Sequence, residues 1–297
     1  MECSFLMPAQ PNVTCVLLNW NGWQDTLDCL DSLKECTYQN LTIVVVDNGS
    51  TDESVTRIRV AYPDIMLLES GKNLGYAGGN NIGIRYALAQ GADYVWLLNN
   101  DTKAAPDALT ALVLKATMNR RIGAAASICY FASDPSVVQA WAGTRVNLWI
   151  GYVRNSTEPH PDEWFQSLYG ASVLIACPAL RDAGLLDEGF FHSWEETEFC
   201  LRLRKRGWLL AAAPGSRILH KVAASTGGNS RILDRYFTAS GLRILRLHSP
   251  APPVAMFLFL TARFGRRLLR LQLPECRSVW EGLRDYRRSL PVIQKIG

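Results

Sequence analysis

Tyr94-Val95-Trp96-Leu97-Leu98-Asn99-Asn100-Asp101 is the stretch that decides the fold. Five consecutive apolar residues halt at two amides and a carboxylate, the pattern of a strand buried at the centre of a parallel sheet. Ligands of open α/β sheets bind just beyond the carboxyl ends of the strands. A strand ending in amide, amide and carboxylate therefore suits a hydroxyl-rich, metal-bridged ligand, with Asp101 as a hard oxygen donor to Mg²⁺ or Mn²⁺. The competing reading makes Asn99 to Thr102 a strand-to-helix turn, capped by Asp101 or Thr102.

Working back from that strand, the first hundred residues alternate strand and helix signals. Val13–Leu18 reads as a strand running into Asn19-Trp20-Asn21-Gly22, followed by a helix over Asp25–Glu35 with Leu27, Leu30 and Leu33 on one side. Leu41–Val46 is a second strand and ends in Asp47-Asn48-Gly49-Ser50-Thr51-Asp52. Ile65–Leu68 is a third. Gly71 to Asn81 then opens a helix to about Gln90, with its start near Gly78. Strands separated by helices of this length imply right-handed crossovers and a doubly wound, mostly parallel sheet.

Three polar loops thus gather at one sheet edge. Asp47 can accept the N3–H of a uracil or thymine ring, or close an Asx-turn that caps the next helix. Gly75, Gly78 and Gly79 either let the backbone approach a ligand, beside free N–H groups at a helix start, or relieve a crowded turn. No Gly-x-Gly-x-x-Gly follows the first strand, so the dinucleotide fingerprint is absent.

Beyond Met118, Ala124–Cys129 and Val173–Cys177 read as strands, with shorter β elements over 138–153. Leu209–Ala213 and Arg217–Leu219 read as two short strands, the second running into His220 and Lys221. Between Cys177 and Leu209 lies an acidic helix, Trp194 to Gly207. At about 100° per residue, Phe199, Cys200 and Leu203 define its apolar face. Glu196 points along the centre of that face, Glu195 lies at its edge, and Glu198 points away to pair with Arg202 on the surface. An inward carboxylate suits a general base of raised pKa, or a structural acid tied by an arginine or by backbone N–H groups. His220 can complete a metal site with Asp101. Ser225–Asn229 could close over a pyrophosphate, with Lys221 as counter-charge, or merely link two elements.

Taken in order, Asn19-Trp20-Asn21-Gly22, Val46 to Asp52, Asn73 to Asn81, Leu98-Asn99-Asn100-Asp101, Leu186-Asp187-Glu188 through Cys200-Leu201-Arg202, and His220 resemble family 2 glycosyltransferases, especially bacterial rhamnosyltransferase-like members. The resemblance covers roughly residues 12 to 245. It implies a GT-A fold, a nucleoside-diphosphate sugar donor linked through dTDP or UDP, a divalent metal (Mn²⁺ or Mg²⁺), and inversion at the anomeric carbon. It further implies transfer to a glycan or lipid-linked acceptor in surface polysaccharide synthesis. On that resemblance Asn19, Asn21, Asp47, Asn48, Gly49, Asn73, Gly75, Gly79, Asn80, Asn99 and Asn100 belong to the donor site. Asp101 and His220 hold the metal, and Glu196, with Glu195 beside it, is the base. Two positions depart from the family pattern: Asn99 stands where many members carry Asp, and Glu196 where Asp is usual.

Composition bounds the alternatives. A chain of 297 residues, 48% hydrophobic and 20% charged, has room for one large domain, expected over 1–248 with nucleotide and acceptor halves of 12–120 and 121–248. The net charge of +4 is concentrated beyond Arg263, which argues against a nucleic-acid partner. Eight scattered cysteines without Cys-x-x-Cys spacing read as buried thiols of a reducing cytoplasm. The N-terminal ten residues lack the pattern of a signal peptide. A nucleotidyltransferase would need a basic triphosphate loop early in the chain, and Asn19–Gly22 has no lysine or arginine. A catalytically degenerate sugar-binding domain is the other alternative, favoured by the two departures. Residues 249–297 read as a helical, basic tail. Within it, Val254–Leu260 ahead of Arg263, Arg266, Arg267 and Arg270 is too short and too basic to span a bilayer. That stretch suits either a helix at the anionic inner face of a membrane, or a helix packed on the core with an arginine-rich solvent face.

Overall fold

The structure, a computed structural model, describes residues 10–221 and 230–289. The expected loop over Ser225–Asn229 and the first nine residues lie outside them.

Strands β1 (Val13–Asn19), β2 (Leu41–Asp47), β3 (Met66–Glu69) and β4 (Tyr94–Asn99) are parallel, in the spatial order β3-β2-β1-β4. They are joined through helices α1 (Trp23–Lys34), α2 (Ser54–Ala61) and α3 (Gly75–Ala89). β5 (Thr102–Ala104), α4 (Ala108–Thr117), β6 (Ile122–Phe131), β7 (Asp134–Trp141), β8 (Gly143–Asn147), β9 (Tyr152–Asn155), β10 (Ser167–Leu168) and β11 (Ser172–Ala176) follow. The sheet is not parallel throughout, because β11 runs antiparallel between β4 and β6. After α5 (Cys177–Ala183) and α6 (Glu195–Lys205), β12 (Leu209–His220) pairs with β6 in parallel and β5 antiparallel. The two short strands expected here are one strand, broken in register between Ala213 and Arg217 by a bulge. β8, β9 and β10 form a separate three-stranded sheet.

The alternation of strand side chains divides the core into two layers. Val16, Val44, Val95 and Leu97 face α3, α5 and α6, whereas Cys15, Leu17, Trp96 and Leu98 face α1 and α4. Trp96 is wholly buried because its indole N–H reaches the Ser172 hydroxyl at 2.9 Å, and Ser127 and Ser216 continue that buried chain. Helix α3 lies close on the sheet because it carries glycines. A Cβ on Gly79 would collide with Leu18 and one on Gly83 with Val16, so these residues serve helix–sheet contact. The helix begins at Gly75, one turn earlier than expected.

Three helices follow, α7 (Ser230–His248), α8 (Pro252–Leu269) and α9 (Leu273–Ser289). Ala255 and Phe259 of α8 join Leu242 and Leu245 of α7 and Phe190 and Trp194 of the preceding loop in a third apolar cluster. The C-terminal helices therefore pack on the core, and the arginine-rich solvent face expected of α8 is met only by Arg266 and Arg270. Arg263 and Arg267 turn inward to Asp234, and Val254, Phe257, Leu258, Leu268 and Leu269 face solvent. No helix among the described residues is long and apolar enough to cross a membrane. The cysteines among them are free thiols, those at 15, 29, 129, 177 and 200 buried.

Candidate active site

A cleft of about 770 Å³ opens at the carboxyl ends of β1, β2 and β4. Its walls include Asn21, Asn48, Asn73, Gly75, Asn99, Asn100 and Asp101, so seven of the expected residues converge there. The other members of the expected donor set stand behind that wall and hold it in shape. Asp47 is 3% exposed, and its carboxylate accepts hydrogen bonds from the Asn19 amide (2.9 Å), the Ser50 hydroxyl (2.6 Å) and the Ser50 backbone N–H (3.0 Å). Asn19 in turn accepts from Thr26 at 2.9 Å. Gly49 has φ +71° and lies against the backbone of Lys72, leaving no room for a side chain. Gly79 packs on Leu18, and Asn80 donates to the Tyr76 carbonyl.

Three N–H groups at the start of α3 are already engaged within the protein. Leu74 N–H donates to the Asn48 side chain (3.0 Å), Gly75 N–H to Asn73 (2.8 Å) and Tyr76 N–H to the Phe191 carbonyl (2.9 Å). The amides that looked like ligand contacts thus also cap this helix.

At the floor of the cleft, Asp101 and His220 meet. β12 and β5 pair as neighbours, which brings His220 Nε2 to 3.3 Å from Asp101 Oδ1 with both side chains largely buried. The other ring nitrogen, Nδ1, lies 2.9 Å from the Gln139 side-chain oxygen and must donate to it. With Nδ1 carrying a hydrogen, the Nε2 lone pair faces a carboxylate unless a cation, proton or metal, stands between them. One imidazole and one carboxylate suit a Mn²⁺ or Mg²⁺ ion that completes its shell with substrate oxygens and water. No group of three or more His, Cys, Asp or Glu side chains is poised for a metal among the described residues. Lys221 pairs with Asp25 and Asp28 at 2.6 and 3.0 Å, which ties the end of β12 to α1.

The acidic helix α6 differs from its helical-wheel reading. Glu198 does not point into solvent; it is buried and gripped by Arg202 (2.7 Å) and His248 Nε2 (3.3 Å). Burial raises its pKa, but the hydrogen bonds from His248 and Arg202 outweigh that and hold it below the ordinary value. Glu195 is buried rather than at an edge. The wheel failed because α7, remote in sequence, covers the face that the angles assign to water. Glu196 does face inward and lines a second cavity of about 20 Å³ with Tyr76, Leu97, Gly170 and Phe199.

Glu195 and Glu196 stand side by side at the start of α6, and an Oε2 atom of each is buried without a partner. Burial and the neighbouring Glu196 charge push Glu195 well above the usual carboxyl range, and burial raises Glu196 as well. Two adjacent carboxyls withdrawn from water do not both ionise readily, so the pair titrates as a unit above the usual carboxyl range. Two consecutive non-glycine residues with left-handed backbone, Ser193 (φ 69°) and Trp194 (φ 74°), lead into this pair. Such conformations cost on the order of 1–3 kcal/mol each and cluster at functional sites. Trp194, packed at 5.4 Å against Phe237, and the bond from the Ser240 hydroxyl to the His192 carbonyl hold them in place.

Tyr76 alone among the described residues lines both cavities. Its hydroxyl donates to the Gly170 carbonyl (3.1 Å) and lies 3.4 Å from the Asn99 side-chain oxygen. Burial, with Glu196, Glu195 and Asp101 nearby, keeps its phenol protonated. Sequence reading assigned this residue no role; its place between a strand-end carboxylate and a helix carboxylate emerges only from the fold. The outer wall of the cleft, Phe191, His192, Ile232, Leu233 and Tyr236, also escaped, because α7 gives no local sign that it folds back over the sheet.

A mixed sheet with an amide-lined cleft at its strand ends, a carboxylate–imidazole pair beside it and two adjacent glutamates behind it has the GT-A architecture. Residues 14–190 match glycosyl transferase family 2, and the chain belongs to that family. Over 224 residues it is 29% identical to the N-acetylglucosaminyl-diphospho-decaprenol L-rhamnosyltransferase of Mycobacterium tuberculosis, covering 67% of this chain and 72% of that one. It is 30% identical over 224 residues to the low-salt glycan biosynthesis hexosyltransferase Agl10 of Haloferax volcanii, covering 68% and 65%. Among solved structures it resembles the mannosyltransferase PcManGT of Pyrobaculum calidifontis, bound to GDP-Man and Mn²⁺. That match has a TM-score of 0.60 at 18% identity, over 95% of this chain and 76% of the other.

Proposed function

We propose that this glycosyltransferase moves a sugar, with rhamnose the leading candidate, from a dTDP- or UDP-linked donor to a glycan or lipid-linked acceptor of a surface polysaccharide, with inversion at the anomeric carbon. The observation that carries the reading is the placement of Tyr76 between two acidic centres, Asp101–His220 on one side and Glu195–Glu196 on the other. Relatives that are named rhamnosyltransferase and hexosyltransferase support the sugar class.

Asn21, Asn48, Asn73 and Asn100 offer donors and acceptors to the nucleotide and the sugar hydroxyls. Asp101 and His220 would hold the divalent ion, which when bound supplies positive charge against the departing diphosphate. The acceptor hydroxyl arrives at the Tyr76 edge of the cleft. Its oxygen attacks the anomeric carbon as the bond to the diphosphate breaks, and its proton passes to the Glu196 carboxylate. Glu195, pushed well above the usual carboxyl range by burial and by the Glu196 charge, stands beside the base and raises its proton affinity. Tyr76 remains a neutral phenol that fixes Gly170 and Asn99 at the seam.

Incubation with dTDP-rhamnose, Mn²⁺ and a lipid-linked acceptor, with the product's anomeric configuration read by NMR, tests this. An inverted product is expected. A retained configuration overturns single displacement, and donor binding without any turnover favours a degenerate binding domain.

A further inference from the structure

The outward faces of the last two helices are built for a charged apolar surface. At about 100° per residue, Val254, Phe257, Leu258, Leu268 and Leu269 fall on one stripe of α8 that the core does not cover. Helix α8 thus sets leucine and phenylalanine in water beside the exposed Arg266 and Arg270, while Arg263 and Arg267 point inward to Asp234. The connection to α9 continues the exposure. Leu269 is 89% exposed, and Leu271, at 85%, has a left-handed backbone (φ 54°) that the leucine gains nothing from locally. On α9 the outward residues are Leu273, Arg277, Trp280, Arg284, Arg287 and Arg288.

Residues 252–289 carry eight arginines against three acids, a surplus of five in a chain whose net charge is +4. Exposed leucines and a tryptophan interleaved with arginines match a bilayer interface, where apolar groups enter the acyl boundary and guanidinium groups meet phosphates. A second copy of the chain would bring a like basic surface against this one, which charge disfavours. The position of the patch is informative too. Arg263 and Arg267 of α8 clamp Asp234, whose neighbours Leu233, Ile232 and Tyr236 form the cleft rim.

We propose that α8 and α9 seat the protein on an anionic phospholipid surface, and that the Asp234 clamp sets the cleft rim beside it so that a lipid-linked acceptor enters from the bilayer. The seat rests on this surface chemistry alone; the acceptor route also rests on the transferase reading above. Full-length protein should co-sediment with phosphatidylglycerol vesicles and much less with phosphatidylcholine vesicles, with binding weakened by salt. A variant carrying Leu268→Ser, Leu269→Ser and Leu271→Ser changes exposed side chains and should lose vesicle partitioning by about tenfold or more. It should retain donor turnover on a short-chain, water-soluble acceptor and lose turnover on the same acceptor in vesicles. Undiminished vesicle binding by the variant overturns the proposal. So does a wild-type dimer in sedimentation velocity that the variant abolishes, with no vesicle binding. If vesicle binding behaves as stated but neither acceptor is consumed, the seat stands and the transferase reading fails.

Discussion

Asp47 and the pair Glu195–Glu196 are both buried acids near the same cleft, and they are treated in opposite ways. Asp47 has both oxygens met, by Asn19 and by Ser50, and belongs to a network that continues to Thr26. The glutamates leave an Oε2 each without a partner, at the end of a strained two-residue entry. A satisfied buried acid rigidifies its surroundings, whereas an unsatisfied one is held in readiness at a cost. On the mechanism proposed above, shape falls to the loop after β2 and chemistry to the first turn of α6.

The contrast is sharpest in rate. Glu196→Gln should lower turnover by about 10²–10⁴-fold with donor affinity nearly unchanged, because a general base acts in the transition state. Steady-state kinetics alongside calorimetry of nucleotide binding checks this, and near-normal turnover with a severe effect from Glu195→Gln would reverse the roles within the pair. Next in size, Asp101→Ala should abolish Mn²⁺-dependent nucleotide binding while leaving the melting temperature close to wild type; unchanged metal dependence by calorimetry would remove Asp101 from the metal site.

Asp47→Ala should act mainly on stability. It strands Asn19 and Ser50, and a loss of about 1–3 kcal/mol in denaturant unfolding is expected. A loss of donor affinity without loss of stability would instead mark Asp47 as a direct ligand contact.

The smallest effect has an unusual sign. The folded pKa of Glu195 lies above its ordinary 4.5, so this residue costs no stability below that pH and costs progressively more as pH rises toward the folded value. Glu195→Gln should thus raise stability at pH 7 by about 1 kcal/mol, since it removes that cost. Glu198 has the opposite sign. Its contribution is present above 4.5 and is lost as pH falls through its depressed folded pKa. Melting curves from pH 4 to 8 on both Gln variants separate the two, and parallel pH profiles would refute the distinction.

How much of this was legible in the sequence follows from how local each signal is. Apolar runs ending in amides and acids disclosed β1, β2 and β4 and the cleft at their ends, because strand period and loop chemistry are properties of adjacent residues. The meeting of Asp101 with His220 was legible as two polar strand ends of matching chemistry and as an ordered motif of the family, but its geometry depends on β5 and β12 pairing across 119 residues. What angles could not disclose was which face of a helix another element would cover. Glu198 looked solvent-exposed because nothing within α6 announces His248, and the arginines of α8 looked outward because nothing nearby announces Asp234. Of the glycines singled out in the sequence, Gly75 lines the cleft, whereas Gly79 gives close backbone approach to Leu18 of β1.

The antiparallel strand β11 carries a consequence for how the chain is made. Five residues, Ser172–Ala176, join β4 to β6, and β6 touches no strand of the first half directly. Until residue 176 has left the ribosome, the nascent chain presents Tyr94–Leu98 as an unpaired, wholly apolar sheet edge, the kind of template on which chains aggregate. A fragment ending at residue 165 should therefore be recovered largely in inclusion bodies, while single polar substitutions in β3, at the far edge, should be tolerated. Synthesis from one end to the other makes β11 the keystone whose arrival, late in translation, decides between folding and loss.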